Sequence, residues 1–483
     1  MSANSASRLA TTKQAFHNIV HQLFQKTQEP VRPRNYRGAT FQRSEKYVLL
    51  HEEEQHLADH IAVLTQAKGG PHSVSAATIE ECHDRHPPSL TIRIASNQTP
   101  SLKTVNGLRR FLDIVEEIAR EETNQNEEEH RSKLLTQIFK LNNGRLRARI
   151  VSSSKGHGKV RQSLCDRAEK LRSMLLMQEM DDDNSPWQTS LCNRLANLIQ
   201  DVEKLEPGSQ CGQMDNLNTI VLAAHEVSTT GDSPSLEHQF YIKGMDLDIA
   251  HRSTVLQIDK ISRYLDIRND LMYYCQKQRC RDLFRNIHLE VCTAPETQRV
   301  HSEIQLIFFY EQYPACLPPR CIGSSKSSCF LCDLFIRKHG MYHISHSHGR
   351  LYVNWTIPEG DWMDEERISR FDGILRDMSQ EMVQIKETFV KPIGYEGNGA
   401  ESRVHLLTLP PNRVATSSDV REREAHTEQG NGSGVAVIQK SRSELPQDTR
   451  IPLTDHLHQA HDTNSNITAD SNAIERALDQ SRN

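Results

Sequence analysis

Apolar residues recur at three- and four-residue spacing through the first half of the chain, the period of a helix with one buried face. Phe16, Ile19, Val20, Leu23 and Phe24 form one such stripe, Leu108, Phe111, Leu112, Val115 and Ile118 another, and Leu134, Leu135, Ile138, Phe139 and Leu141 a third. Leu164, Ala168, Leu171 and Leu175 continue the pattern, as do Leu191, Leu195, Leu198, Ile199 and Val202 after the turn-forming DDDNSP at 181–186. Residues 46–95 are mixed, with YVLLHEEEQHLADHIAVL reading as a helix and LTIRIAS as a short strand between Pro88 and Asn97. The acidic run EETNQNEEEH is a solvated loop or a fraying helix end. The pattern therefore predicts an N-terminal segment over 1–45 and a mostly helical region over 46–206.

PGSQCGQ and TTGDSPS then bracket IVLAAHEV, which reads as a linker over 207–239 holding one buried element. Beyond it helix and strand patterns alternate. IDKISRYLDIRNDLMYYCQ is an amphipathic helix, IHLEVC a strand, HSEIQLIFFYEQ a helix, RCIGSS a strand, CFLCDLFIRKHG a helix and GRLYVNWTI a strand; a long helix closes the series over 363–390. That alternation predicts a domain of the α/β class over 240–390, a sheet covered by helices. From 391 to 483 the chain turns to Gly, Ser, Asn, Gln, Asp and His with few aromatics, the composition of a disordered tail.

Composition narrows this only a little. The chain has 483 residues, with 58 basic against 63 acidic and a net charge of −5, so nothing marks a general polyanion binder. The apolar share of 36% is below the roughly 45–50% of a folded domain, which fits a chain of which part builds no core. No apolar run reaches the roughly 18 residues of a membrane span, and no secretory core segment opens the chain. The 11 cysteines follow no disulfide framework and fit reduced thiols in the cytoplasm or nucleus. Residues 1–28 carry Arg8, Lys13 and Lys26 with no acid before Glu29, as a mitochondrial transit sequence would, but the Phe16 to Phe24 stripe reads as the buried face of a first helix.

The chemistry gathers at 301–332. His301-Ser302-Glu303 opens one expected helix, Cys329-Phe330-Leu331-Cys332 the next, and a strand lies between. Either motif alone is weak: a single Cys-x-x-Cys can be a redox pair, half a zinc finger or two core residues. In this order and spacing they form the pattern of zinc-dependent nucleobase deaminases. Cysteines three apart share a helix face, and a helix N-terminus favours their thiolate form. Two thiolates and the His301 imidazole would hold Zn²⁺ and leave a fourth position for water, as in a catalytic site. Glu303 is not needed as a ligand and is free to act as general base.

HSEIQLIFFYEQ, CIGSSKSSCFLCDLFIRKHG and HGRLYVNW together resemble the deaminase-like family expanded in filamentous fungi, within the zinc-dependent cytidine-deaminase-like superfamily. The likeness is tight over 300–358 and looser upstream, including VSAATIEECHDRHPPSLTIRIASN. It implies a three-layer α/β/α fold, zinc on His301, Cys329 and Cys332, Glu303 as proton shuttle, and a nucleobase in nucleic acid or nucleotide as substrate. Ser328 stands where many superfamily members have Pro before the first cysteine. Pro there mainly pre-sets the helix start, so its loss need not remove the metal site.

Other residues have plainer readings beside functional ones. His343, His346 and His348 suit metal or phosphate, or are loop histidines; Cys316 or Cys321 would close the metal site if either supplied a fourth ligand. Cys275 and Cys280 read as packing residues. Tyr352 and Trp355 stack on a base or sit in the core, Gln305 and Ser302 touch the substrate or, more simply, belong to the helix interior, and Lys277, Arg279, Arg281 and Arg285 form a solvated helix end or a phosphate cluster. Against the zinc deaminase stand a catalytically inactive zinc-stabilised module whose helical region engages a protein partner, and an α/β interaction protein with core cysteines.

Overall fold

The computed structural model describes residues 3–389 except 37–40, 42, 85, 122–125, 152–161, 179–184, 206–212, 231–232, 246 and 293–299. The tail expected over 391–483 lies outside the described residues. In chain order come α1 Ala3–Lys26, β1 Arg34–Asn35, α2 His51–Thr65, β2 Ser75–Cys82, β3 Ser89–Ser96, α3 Leu102–Arg120, α4 Glu127–Ile150, α5 Leu164–Met177, α6 Ser185–Glu203 and α7 Gln213–Ser228. They are followed by α8 Leu236–Ile242, α9 Ile249–Gln276, α10 Arg281–Phe284, β4 Ile287–Val291, α11 Ser302–Gln312, β5 Gly323–Ser324, α12 Phe330–His339, β6 His346–Ser347 and α13 Glu365–Thr388. Helix dominates, and the sheets are small and mixed, which places the chain in the α/β class.

The main sheet runs β4-β3-β2-β5, with β3 and β4 parallel and the other pairs antiparallel. In the β2–β3 register Ala77 faces Ile94 and Ile79 faces Ile92, while Ala76 faces Ala95 and Thr78 faces Arg93. Successive side chains take opposite faces, so these pairs look alternately to the two sides. Ala77, Ile79, Ile92 and Ile94 join the core of the long helices, whereas Ala76 and Ala95 join the core around α11 and α12. Both faces are thus covered, and nearly every residue of β2 and β3 is buried. On the α11 face the polar members are paired: Arg93 Nη2 lies 3.0 Å from Glu80 Oε1, which also accepts the Tyr310 hydroxyl at 2.5 Å.

On the other face α2 lies against the sheet, with its C-terminal carbonyls held by α4. Asn142 Nδ2 donates to the Leu64 carbonyl at 3.3 Å, and Arg145 Nη1 donates to those of Val63 and Gln66 at 3.0 and 3.2 Å. Behind it α9 packs on α3, α4, α5, α7 and α8. The apolar stripes read from the sequence are the faces these helices bury, Phe111 and Leu112 fully so.

The sheet cuts across the boundaries expected from sequence. Strands β2 and β3, from the stretch assigned to a helical region, pair with β5 and β4 of the expected 240–390 domain. IVLAAHEV belongs to α7, whose Leu217, Ile220, Val221, Ala224 and Val227 share the core of α3 and α9, so 207–239 is not merely a linker. Helix α1 packs on α13, which joins the first residues to the site half. RCIGSS shrinks to the two residues of β5, and GRLYVNWTI forms no strand. Its chain turns at Gly349, with φ of 72°, where an added Cβ would lie 2.1 Å from the Val31 carbonyl oxygen. It turns again where the Trp355 N–H donates to the Tyr352 carbonyl at 3.2 Å.

Candidate metal centre and active site

His301 sits in extended conformation just before α11, and Cys329 does the same before α12. Each side chain is therefore delivered by a helix start. The α11 start is pinned by the hairpin upstream, since the Ser302 N–H donates to Asn97 Oδ1 at 3.0 Å and Gln305 Nε2 donates to the carbonyls of Ser96 and Val300 at 3.0 and 2.9 Å. The Cys329 sulfur accepts the Cys332 N–H at 3.3 Å and so caps its own helix. At the far end α12 stops on Gly340, with φ of 78°, after Arg337, Lys338 and His339.

The structure brings together His301, Cys329 and Cys332, whose ligand atoms all lie within 4.8 Å of one another. His301 Nδ1 is 3.5 Å from Cys329 Sγ and 3.4 Å from Cys332 Sγ. Ligands on a tetrahedral zinc, with Zn–S of about 2.3 Å and Zn–N of about 2.0 Å, stand about 3.5 Å apart, so this donor set fits the ion without rearrangement. The three groups shift one another's proton affinity. Burial pushes the Cys329 thiol up, but its bond with Cys332 and the His301 ring outweigh that and hold it below its ordinary range. Burial and the neighbouring Cys329 push Cys332 well up, and His301 is raised, against its burial, by Cys329 and Glu303. The Trp355 indole N–H donates to Cys332 Sγ at 3.3 Å and packs on Phe16 of α1, so Trp355 orients a candidate ligand from within the core. Nothing in the sequence marked that role.

Glu303 is buried beside the trio, its Oε2 3.9 Å from Cys332 Sγ. His301 opens onto a cavity of about 1060 Å³ whose wall also includes Asn97, Gln305, Arg350, Tyr352 and Trp355. Gln305 Oε1 is buried there without a hydrogen-bond partner among the described residues, and Tyr352 meets the His301 ring edge-on at 5.8 Å.

Residues 300–359 match a family model of the OTT_1508-like deaminases. The matched stretch begins just before His301 and contains α11, β5, α12 and β6, hence all four residues singled out above. This is a deaminase-like segment within a longer chain. No curated protein and no solved structure matches the chain.

The remaining expectations divide. Cys316 is exposed, while Cys321 gathers with His51 and His343 instead of the first trio. His346 is buried in β6 and His348 packs edge-on against Tyr352. Lys277 and Arg279 both pair with Glu53, at 2.7 and 2.5 Å, and Arg281 and Arg285 donate to the Ala119 carbonyl, so the basic cluster ties α2 and α3 to the end of α9. Cys275 and Cys280 are fully buried packing residues. No described helix is long and apolar enough to cross a membrane.

Proposed function

We propose that this chain is a zinc-dependent hydrolytic deaminase acting on cytosine or adenine in a nucleic acid or nucleotide, within a compartment that keeps thiols reduced. The observation that carries the reading is the convergence of two thiols and one imidazole at zinc spacing, beside a buried carboxylate, with the imidazole residue His301 on the wall of a cavity. The sheet covered on both faces supports the three-layer arrangement of the cytidine-deaminase-like superfamily, and the family match supports the reaction class. Substrate identity rests on analogy with that class.

His301, Cys329 and Cys332 would hold the ion, which when bound supplies Lewis acidity and water made acidic enough to react near neutral pH. Glu303 takes a proton from water and passes it to the ring nitrogen as oxygen bonds to the amino-bearing carbon. The carbon–amino bond then breaks, the nitrogen leaves as ammonia with a proton returned through Glu303, and a carbonyl remains. Asn97, Gln305 and the Tyr352 ring bound the cavity in which a base would sit.

The test measures zinc by elemental mass spectrometry and ammonia release over a panel of bases, nucleotides and single strands. Wild type should hold zinc that Cys329→Ser and Cys332→Ser lose, with Cys329→Ser also melting at lower temperature, because metal binding is coupled to folding. Ammonia release that disappears in both variants supports the enzyme. Zinc lost in both variants with no turnover on any substrate leaves the non-catalytic zinc module, and zinc indifferent to both changes removes the site.

A further inference from the structure

His51, Cys321 and His343 form a second group whose ligand atoms lie within 4.8 Å of one another. The three come from distant parts of the chain: the first residue of α2, the segment before β5, and the segment between α12 and β6. His51 Nε2 is 3.4 Å from Cys321 Sγ, the separation that neighbouring ligands on a tetrahedral zinc show at about 3.5 Å. The third donor is oriented in advance. His343 Nδ1 lies 3.3 Å from Gln55 Oε1, and Gln55 is itself turned by its Nε2, which donates to the Ile322 carbonyl at 3.2 Å. With the amide oxygen facing it, Nδ1 carries the proton and Nε2 is left as the free lone pair, as the outer-shell partner of a metal-bound histidine arranges.

The backbone around Cys321 is held as tightly. Glu54 Oε1 accepts the N–H groups of Arg320 and Cys321 at 2.6 and 2.9 Å, and the chain pairs with the His343 strand segment through Ile322 N–H to His343 O at 2.8 Å. Phe41 stacks on the His51 ring with centroids 3.5 Å apart and meets His343 edge-on at 4.7 Å, which puts an apolar cover over both imidazoles.

We propose that His51, Cys321 and His343 are a second metal site, for zinc or a divalent ion of the same borderline-soft class, independent of the deaminase-like centre. Binding replaces the Cys321 S–H with a metal–sulfur bond and releases its proton to water. The rival reading, a cysteine nucleophile with a histidine base, fails on access: Cys321 is 0% exposed, and the second imidazole has no part in such a pair. A metal here clamps the start of α2 to the edge of the sheet at β5, so its contribution is to stability.

The experiment is zinc stoichiometry on the full chain, with zinc alone as the probe. Wild type should hold two ions; Cys321→Ser and Cys332→Ser should each hold one, and the double variant none. His343→Ala, a change at a part-buried position, should match Cys321→Ser and replaces it if the serine variant does not fold. One ion in wild type, kept by Cys321→Ser and His343→Ala, overturns this second site while sparing the first. Loss in the Cys321 and His343 variants with none in Cys332→Ser keeps the second site and removes the first. No zinc in wild type overturns both.

Discussion

The two faces of the main sheet look onto very different interiors. On one side long helices bury Leu, Ile and Phe in a large, nearly continuous apolar core, and some buried polar groups there, such as Asn142 and Arg145, serve to finish helix ends. On the other side α1 and α13 flank the short helices α11 and α12, three strands (β1, β5 and β6) have only two residues, and among the apolar side chains the interior also holds Ser302, Glu303, Ser324, Ser325, Ser327, Ser328, Asp333, Ser345, His346 and Ser347. Apolar burial stabilises the first side at about 25 cal/mol per Å². Buried polar groups stabilise only when paired, and they are also what binds a metal or moves a proton. The comparison teaches that the helical side supports a site whose own half is built for chemistry.

Substitutions on either side should therefore fail in different ways. The largest effect is expected for Glu303→Gln, a loss of roughly 10²- to 10⁴-fold in deamination with zinc content and melting temperature unchanged; wild-type turnover in this variant would remove Glu303 from the mechanism. Phe111→Ala, deep in the helical core, should cost about 3–5 kcal/mol in denaturant unfolding yet leave zinc per folded molecule intact. If instead it stripped the metal while barely changing stability, the division between the two sides would be wrong.

Gly323→Ala tests the seam. A Cβ at β5 would lie 2.0 Å from the Ala58 backbone carbon of α2, so strand and helix must part, at a cost of roughly 1–3 kcal/mol. Unlike Phe111→Ala it should also weaken zinc at His51 and Cys321, and equal occupancy in the two variants would count against the seam. The smallest effect is expected for Ser101→Ala, which removes the cap that accepts the Thr104 N–H at 3.2 Å, and should lower stability by about 1 kcal/mol with no change in metal. A change in zinc content there would again contradict the separation.

The helical side was legible because each helix buries one stripe, so the period survives in the sequence. Strand β2 was not, because its two faces look onto different interiors: Ala77 and Ile79 meet apolar helices while Thr78 and Glu80 meet Tyr310 and Arg93, and SAATIEEC reads as no strand. GRLYVNWTI misled in the opposite sense, since its β-branched and aromatic residues fill the core from a turning chain. The metal trio was readable from local spacing within 301–332. His51 was not, because its partner Cys321 lies 270 positions away and HEEEQ looks like the polar face of any helix.

The register of β2 and β3 bears on how the protein can be cut. A fragment started at residue 240 keeps the whole matched stretch, 300–359, and every deaminase-like residue, yet it leaves β4 and β5 without the strands to which they are bonded. It also lacks Asn97, which fixes the first turn of α11. Such a piece exposes bare strand edges, which recruit other copies. The smallest piece worth expressing begins before α1, and a gene trimmed to the matched family segment should give insoluble protein.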